Sequence, residues 1–229
     1  MHGATAVMGP PDTLTTATEA DRHSRCRRGT GCALDGAGHV GVDQKGTNVK
    51  LPTLGTLGSL SAVDRTDLLA EPVAAALAGW KHRDAVAVVE IDPALADTAA
   101  LTDAYNLPLT ASANCVVVAG RRGGEERIAA CVVRADTRAD VNNVVKRTLD
   151  VRKASFLSTD RAVEETRMEF GGITPLGVPV SWRLLVSAEA ASIDVAIIGS
   201  GVRRSKLLLA GALLAELPQA EVVTNLALR

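Results

Sequence analysis

The pattern of apolar and polar positions changes character at about residue 50. Before it, apolar residues recur with no sustained period of 2 or 3.6, and Gly, Thr, Arg and Asp are frequent. Residues 1–50 therefore read as a disordered N-terminal extension. Arg22, Arg25, Arg27 and Arg28 cluster there beside Cys26. They are either solvated residues of that extension or an arm for nucleic acid. Residues 51–85 read as a helical lead-in, with Leu69, Val73, Ala76 and Leu77 along one helix face. Pro72 suits a first helical turn, which puts the start near Ala70, and Gly79 stands where a C-terminal cap is expected.

From residue 86 to 229 short apolar runs alternate with helical periods. Val86–Ile91 is a β-branched run and predicts a strand. Thr98–Asn106 predicts a helix. Asn114–Ala119 and Arg127–Val133 predict a hairpin joined by a loop over Gly120–Glu126. If that hairpin is centred on Gly123, Cys115 faces Cys131. Val141, Val144, Val145 and Leu149 lie on one helix face, behind a cap at Asp136 or Thr137. Ala154–Leu157 reads as a short strand, and a helix follows from Ser158 or Thr159 to about Met168. Trp182–Ser187, Asp194–Ile198, Ser205–Leu209 and Glu221–Leu226 read as strands, with a helix over Ala210–Leu217. The mixture predicts an α+β domain around a curved sheet.

Composition adds constraints. Hydrophobic residues make up 47% of the chain but aromatics only 2%, so the core must be aliphatic. No apolar run approaches the length that spans a bilayer. The opening residues lack the basic and apolar regions of a secretory signal, so a cytoplasmic location is expected. A net charge of −1 argues against a general nucleic-acid coat, though not against a protein that grips only the end of a tRNA. Cys26, Cys32, Cys115 and Cys131 have no metal-ligand spacing. His2, His23, His39 and His82 all precede residue 86, which rules out histidine-based triads built within residues 86–229. Gly199–Lys206 loosely follows a phosphate loop, but Ser205-Lys206 opens an apolar strand rather than a helix, and nucleotide triphosphate binding is rejected.

The densest conformational signal is Gly171-Gly172-Ile173-Thr174-Pro175-Leu176-Gly177-Val178-Pro179, with three glycines and two prolines in nine residues. Such a stretch specifies a loop of one shape, with backbone amides able to face a ligand. Gly171–Gly177 resembles the signature loop of the YbaK/ProX family, aminoacyl-tRNA deacylases related to the editing domain of bacterial prolyl-tRNA synthetases. The similarity runs from about Val86 to Ala227. It includes Val151–Phe156 as a basic-then-strand element, Gly199-Ser200-Gly201 as a late turn, and Thr224-Asn225-Leu226 near the close. The chain departs from the family where a lysine usually begins a strand and Asn114 stands instead.

The resemblance implies a barrel-like, mixed or antiparallel curved sheet with surrounding helices. It implies hydrolysis of the ester of a mischarged small amino acid on tRNA, without cofactor or metal, assisted by the substrate's own ribose hydroxyl. Gly171, Gly172 and Asn114 would be catalytic, while Thr174, Pro175, Gly177, Gly199, Ser200, Gly201 and Lys206 would bind substrate. The implied partners are the acceptor end of aminoacyl-tRNA and an aminoacyl-tRNA synthetase. Lys206 either supplies the missing cation from the opposite wall, with Asn114 as its polar partner, or is a solvated strand residue. A non-catalytic relative that binds an aminoacyl or nucleotide end, or a protein partner, is the alternative.

Overall fold

The computed structural model describes residues 41–42 and 48–229. The expectation for residues 1–50, its arginine cluster included, lies outside the described residues apart from two paired strands, β1 (Gly41–Val42) and β2 (Asn48–Val49). The rest of the chain runs through β3 (Leu60–Ser61), α1 (Glu71–Gly79), β4 (Ala87–Glu90) and α2 (Thr98–Tyr105). It continues with β5 (Ala113–Arg122), β6 (Glu125–Arg134) and β7 (Arg138–Ala139). A π-helical segment, Val141–Val145, leads into α3 (Lys146–Thr148), then β8 (Ala154–Phe156) and α4 (Thr159–Thr166). The last elements are β9 (Arg183–Ser187), α5 (Ala188–Ala191), β10 (Ala196–Gly199), β11 (Ser205–Leu209), β12 (Ala220–Val223) and β13 (Ala227–Leu228).

Two main sheets form. One is antiparallel in the order β10-β11-β4-β3; the other is mixed, in the order β12-β9-β6-β5-β8. A single parallel bridge, Ser112 to Ile197, links them. The sheets do not close, which corrects the barrel-like expectation. Alternation along the strands explains why they read as nearly continuous apolar runs. Val88, Leu207, Leu209, Val117, Ala130 and Val132 face a central core that also holds Val73, Leu77, Trp80 and Trp182. Ala87, Val89 and Leu208 face a second core under α2, and Val118, Ala129, Cys131 and Val133 a third with Val141, Val145 and Leu149. Strands buried on both faces lose the one-sided alternation of a solvated sheet.

Three local expectations change. The β5–β6 hairpin turns on two residues, Gly123 and Gly124, with φ of +62° and +87°, the backbone that tight hairpins require. Both strands are therefore longer than expected, and Cys115 faces Val132 while Cys131 faces Val116. The cap before Val141 is Asp140, whose carboxylate accepts from Asn143 N–H at 3.1 Å. Asp136 and Thr137 are displaced from that role because β7 pairs with β13. Finally, the helix expected over Ala210–Leu217 is a 3₁₀ helix over Gly211–Glu216.

Candidate functional site

The site begins where α4 ends. Arg167 closes the helix in the left-handed conformation, its N–H donating to Val163 O, and Met168 drops into the core. The chain then meets the turn after β10. Glu169 N–H donates to Gly201 O at 2.8 Å, and Gly201 N–H donates to Gly172 O at 2.8 Å. The Glu169 carboxylate accepts from Arg203 N–H at 2.6 Å. This is a backbone-to-backbone seam with no room for side chains. A methyl group added at Gly172 would lie 2.8 Å from Val202 N, and one at Gly199 would run into Gly172 O. Gly171 has φ of +80°, and its missing Cβ leaves space for the Arg203 guanidinium, the role only glycine fills without strain.

Lys206 is the chemical centre of this arrangement. It is the second residue of β11, between Gly199 of β10 and Val89 of β4, on the face it shares with Leu208 and α2. Only 7% of the residue is exposed, so it is not a solvated strand residue. Its ammonium donates to Ala96 O at 2.8 Å and to Gly171 O at 3.2 Å. Burial draws its pKa down to about 8; the neighbouring Arg203 charge adds to the effect and Asp97 opposes it. An ammonium has three N–H donors, so the two carbonyls leave one for another acceptor.

Asn114 reaches the same neighbourhood from the other sheet. Its Oδ1 accepts from Thr98 Oγ1 at 3.0 Å, two residues beyond the carbonyl that holds Lys206. The Ser112–Ile197 bridge starts β5 and β10 side by side, and Asn114 and Gly199 each lie two residues further on. Residues 96–98 thus link the amide to the ammonium.

The remaining predicted residues take different places. Ser200 Oγ is buried in the turn, 2.7 Å from Ser205 Oγ, and Ser205 Oγ donates to Leu68 O. Thr174 and Pro175 are buried behind the loop, the Thr174 hydroxyl without a hydrogen-bond partner among the described residues. Gly177 packs against the backbone of Pro72 at the start of α1. Gly172 N–H is taken by Glu169 O at 2.9 Å, whereas Gly171 N–H has no backbone acceptor among the described residues. Sequence reasoning missed Arg203, which donates to Phe170 O at 3.2 Å and Pro93 O at 3.0 Å. It also missed Asp97, Thr98 and Glu169. The Arg203-Arg204 pair after the turn was a visible signal; the acidic and hydroxyl residues carried none.

Among the described residues the two cysteines, Cys115 and Cys131, offer no nucleophile. Burial pushes the Cys115 thiol well above the usual range and that of Cys131 up to about 12, so neither forms a thiolate near neutral pH. Among the described residues no group of three or more His, Cys, Asp or Glu is arranged to hold a metal ion. No helix among them is long and apolar enough to cross a membrane.

Residues 92–217, more than half of the chain, match the aminoacyl-tRNA editing domain family. Among solved structures, the fold resembles that of a candidate trans-editing enzyme for prolyl tRNA synthetase. That protein is 18% identical, with a TM-score of 0.57 over 68% of this chain and 94% of that one. A hypothetical protein is also 18% identical, with a TM-score of 0.55 over 62% of this chain and 90% of that one. A scaffold protein used in computational epitope grafting gives 18% identity and a TM-score of 0.57, over 68% and 95% of the two chains. No curated protein is similar enough in sequence to be matched. At such identities the solved structures speak for the fold, and the sequence match speaks for the family: the chain belongs to the aminoacyl-tRNA editing domain family.

Proposed function

We propose that the protein is an aminoacyl-tRNA deacylase that acts in trans in the cytoplasm, clearing a mischarged small amino acid from tRNA. The observation that carries this reading is the buried Lys206 ammonium, bonded to Gly171 of the glycine loop and to Ala96, two residues before the Thr98 that bonds Asn114. A cation held in place by carbonyls costs little reorganisation when negative charge develops nearby. In this reading its third N–H and the Gly171 N–H face the ester carbonyl oxygen. The Asn114 amide orients the ribose hydroxyl, which directs a water onto the carbonyl carbon. The bond from that carbon to the ribose oxygen then breaks; the amino acid leaves as a carboxylate and the ribose oxygen takes up a proton. Gly172, its N–H occupied, shapes the loop and does not act as an oxyanion donor. The alternative, a non-catalytic domain that binds an aminoacyl or nucleotide end or a protein partner, rests on Asn114 standing where the family resemblance implies a lysine.

A deacylation assay of the full chain across a panel of correctly and wrongly charged tRNAs tests the proposal. Release of one small amino acid well above the spontaneous rate is the expected result. Binding of charged tRNA with no release from any member of the panel would leave the non-catalytic reading in its place.

A further inference from the structure

The far end of β5 carries a second cluster of chemistry that the ester-hydrolysing site does not use. A cleft of about 400 Å³ opens there between the β5–β6 hairpin, β8 and the start of α4. Its walls hold Arg121, Arg152, Lys153 and Arg161, against a single acid, Glu126. Arg161 grips Glu126 and Glu165, and Arg121 lies 3.6 Å from Glu126, so these two are held in place. Arg152 and Lys153 are exposed and carry no ion pair among the described residues. A close crossing fixes the segment that bears them. A methyl group at Gly120 would lie 2.6 Å from Lys153 O, and Arg152 N–H donates to Arg121 O at 3.4 Å.

In a chain of net charge −1, four cations against Glu126 and Glu165 are a local excess of positive charge and not general composition. Phe156 stands at the rim on the edge strand, 62% exposed, in a protein whose two tryptophans are both buried. An exposed ring beside unpaired cations is what RNA-binding surfaces use, the ring taking ribose or base faces and the cations taking phosphates.

We infer that this cleft binds the phosphodiester backbone of the tRNA acceptor stem. The inference rests on aminoacyl-tRNA being the substrate. Asn114 and Arg121 lie seven residues apart on β5, about 23 Å at the usual strand rise. Their odd spacing turns the two side chains to opposite faces of the sheet, so the ligand that fits has its reacting end at the glycine loop and its backbone passing round the sheet edge to the cleft. The cleft supplies affinity and register, and no group in it touches the ester.

The test is binding of uncharged tRNA to the full chain between 50 and 200 mM salt. The wild type is compared with Arg152→Ala/Lys153→Ala and with the control Lys146→Ala/Arg147→Ala, which removes equal charge elsewhere. Two lost phosphate contacts should flatten the log–log salt slope by roughly 1.5 and weaken binding about tenfold or more. The control should shift affinity less than twofold. Hydrolysis of a minimal aminoacyl-adenosine, which has no stem, should be unchanged in the Arg152/Lys153 variant. Equal slopes in wild type and variant would overturn the inference, as would equal losses in variant and control; unchanged RNA affinity would point to a protein strand on the β8 edge instead. Because uncharged tRNA needs no hydrolysis, an inactive wild type with an intact salt slope would overturn the deacylase reading and leave the cleft assignment supported.

Discussion

A lysine charge withheld from water persists only if its hydrogen bonds offset the lost hydration. Ala96 O and Gly171 O provide two of those bonds for Lys206. Lys206→Met keeps the aliphatic stem and removes the charge, so it should weaken aminoacyl-adenosine binding by roughly tenfold or more, the scale of one hydrogen bond to a charged group. Asn114→Lys in that background should restore part of the loss. Wild-type binding and turnover in Lys206→Met would end the cationic role. The lowered pKa of about 8 gives two pH signatures. If the protonated form acts, kcat/KM should fall as pH rises through about 8. Stability should move the other way: between about 8 and the model-peptide value of 10.5, unfolding takes up a proton, so the folded state gains on raising pH. The gain is at most about 3 kcal/mol and should vanish in Lys206→Met, as denaturant titrations at pH 7.5 and 10 would reveal. Lys206 and Asn114 could be singled out because the family resemblance directed attention to the residues after the glycine turn and to the start of the Asn114 strand. Arg203 stood in a visible Arg-Arg pair, but its role did not show there, since its partner Pro93 lies 110 residues away in the chain.

At the scale of elements, the glycine loop and the turn after β10 act as one unit, because backbone touches backbone along the seam. Gly172→Ala tests this directly. The added methyl meets main-chain atoms of Gly201 and Val202 at 2.8–2.9 Å, and main chain cannot step aside as a flexible side chain can. Overpacking of this kind costs about 1–3 kcal/mol, so the fold should survive. Displacing Gly171 from Lys206 should still lower turnover by roughly a hundredfold. A folded Gly172→Ala protein with normal turnover would detach the seam from the chemistry. The loop itself was legible, because glycine and proline state their backbone requirements locally. The hairpin was legible except for its register: Gly123 and Gly124 share the turn, and centring on Gly123 alone moves every cross-strand pair by one residue. The cap at Asp140 was hidden for a different reason. Asp136 and Thr137 are equally good caps by type, and only the pairing of β7 with β13, some 90 residues later, decides between them.

At the scale of the whole molecule, the sequence match begins at residue 92, but the core does not. Leu68, Leu69, Val73, Leu77 and Trp80 fill the space between the two sheets, and β3 extends the antiparallel sheet beside β4. The same lead-in also holds the site from behind. Ala70 N–H donates to Ser200 O at 3.1 Å, Ser205 Oγ donates to Leu68 O, and Arg204 donates to Asp67 O. A periodic apolar face showed in the sequence that this segment is helical; which surface that face covers was not readable before the sheets were assembled. The physical consequence is a sharp difference between two truncations. A chain beginning at Leu51 keeps every one of these residues, and its melting temperature should stay within a few degrees of the full protein. A chain beginning at Val86 loses these five large buried side chains, worth about 1.5–3 kcal/mol each, together with the buried Leu51, Leu57, Ala62 and Ala70. Their sum is on the order of 10 kcal/mol, comparable with the whole stability of an ordinary domain. It should therefore fail to unfold cooperatively in denaturant and should show no deacylation. A cooperative transition in the chain from Val86 would mean that the lead-in is an accessory to the fold; a large loss on starting at Leu51 would mean that residues 1–50 contribute to it.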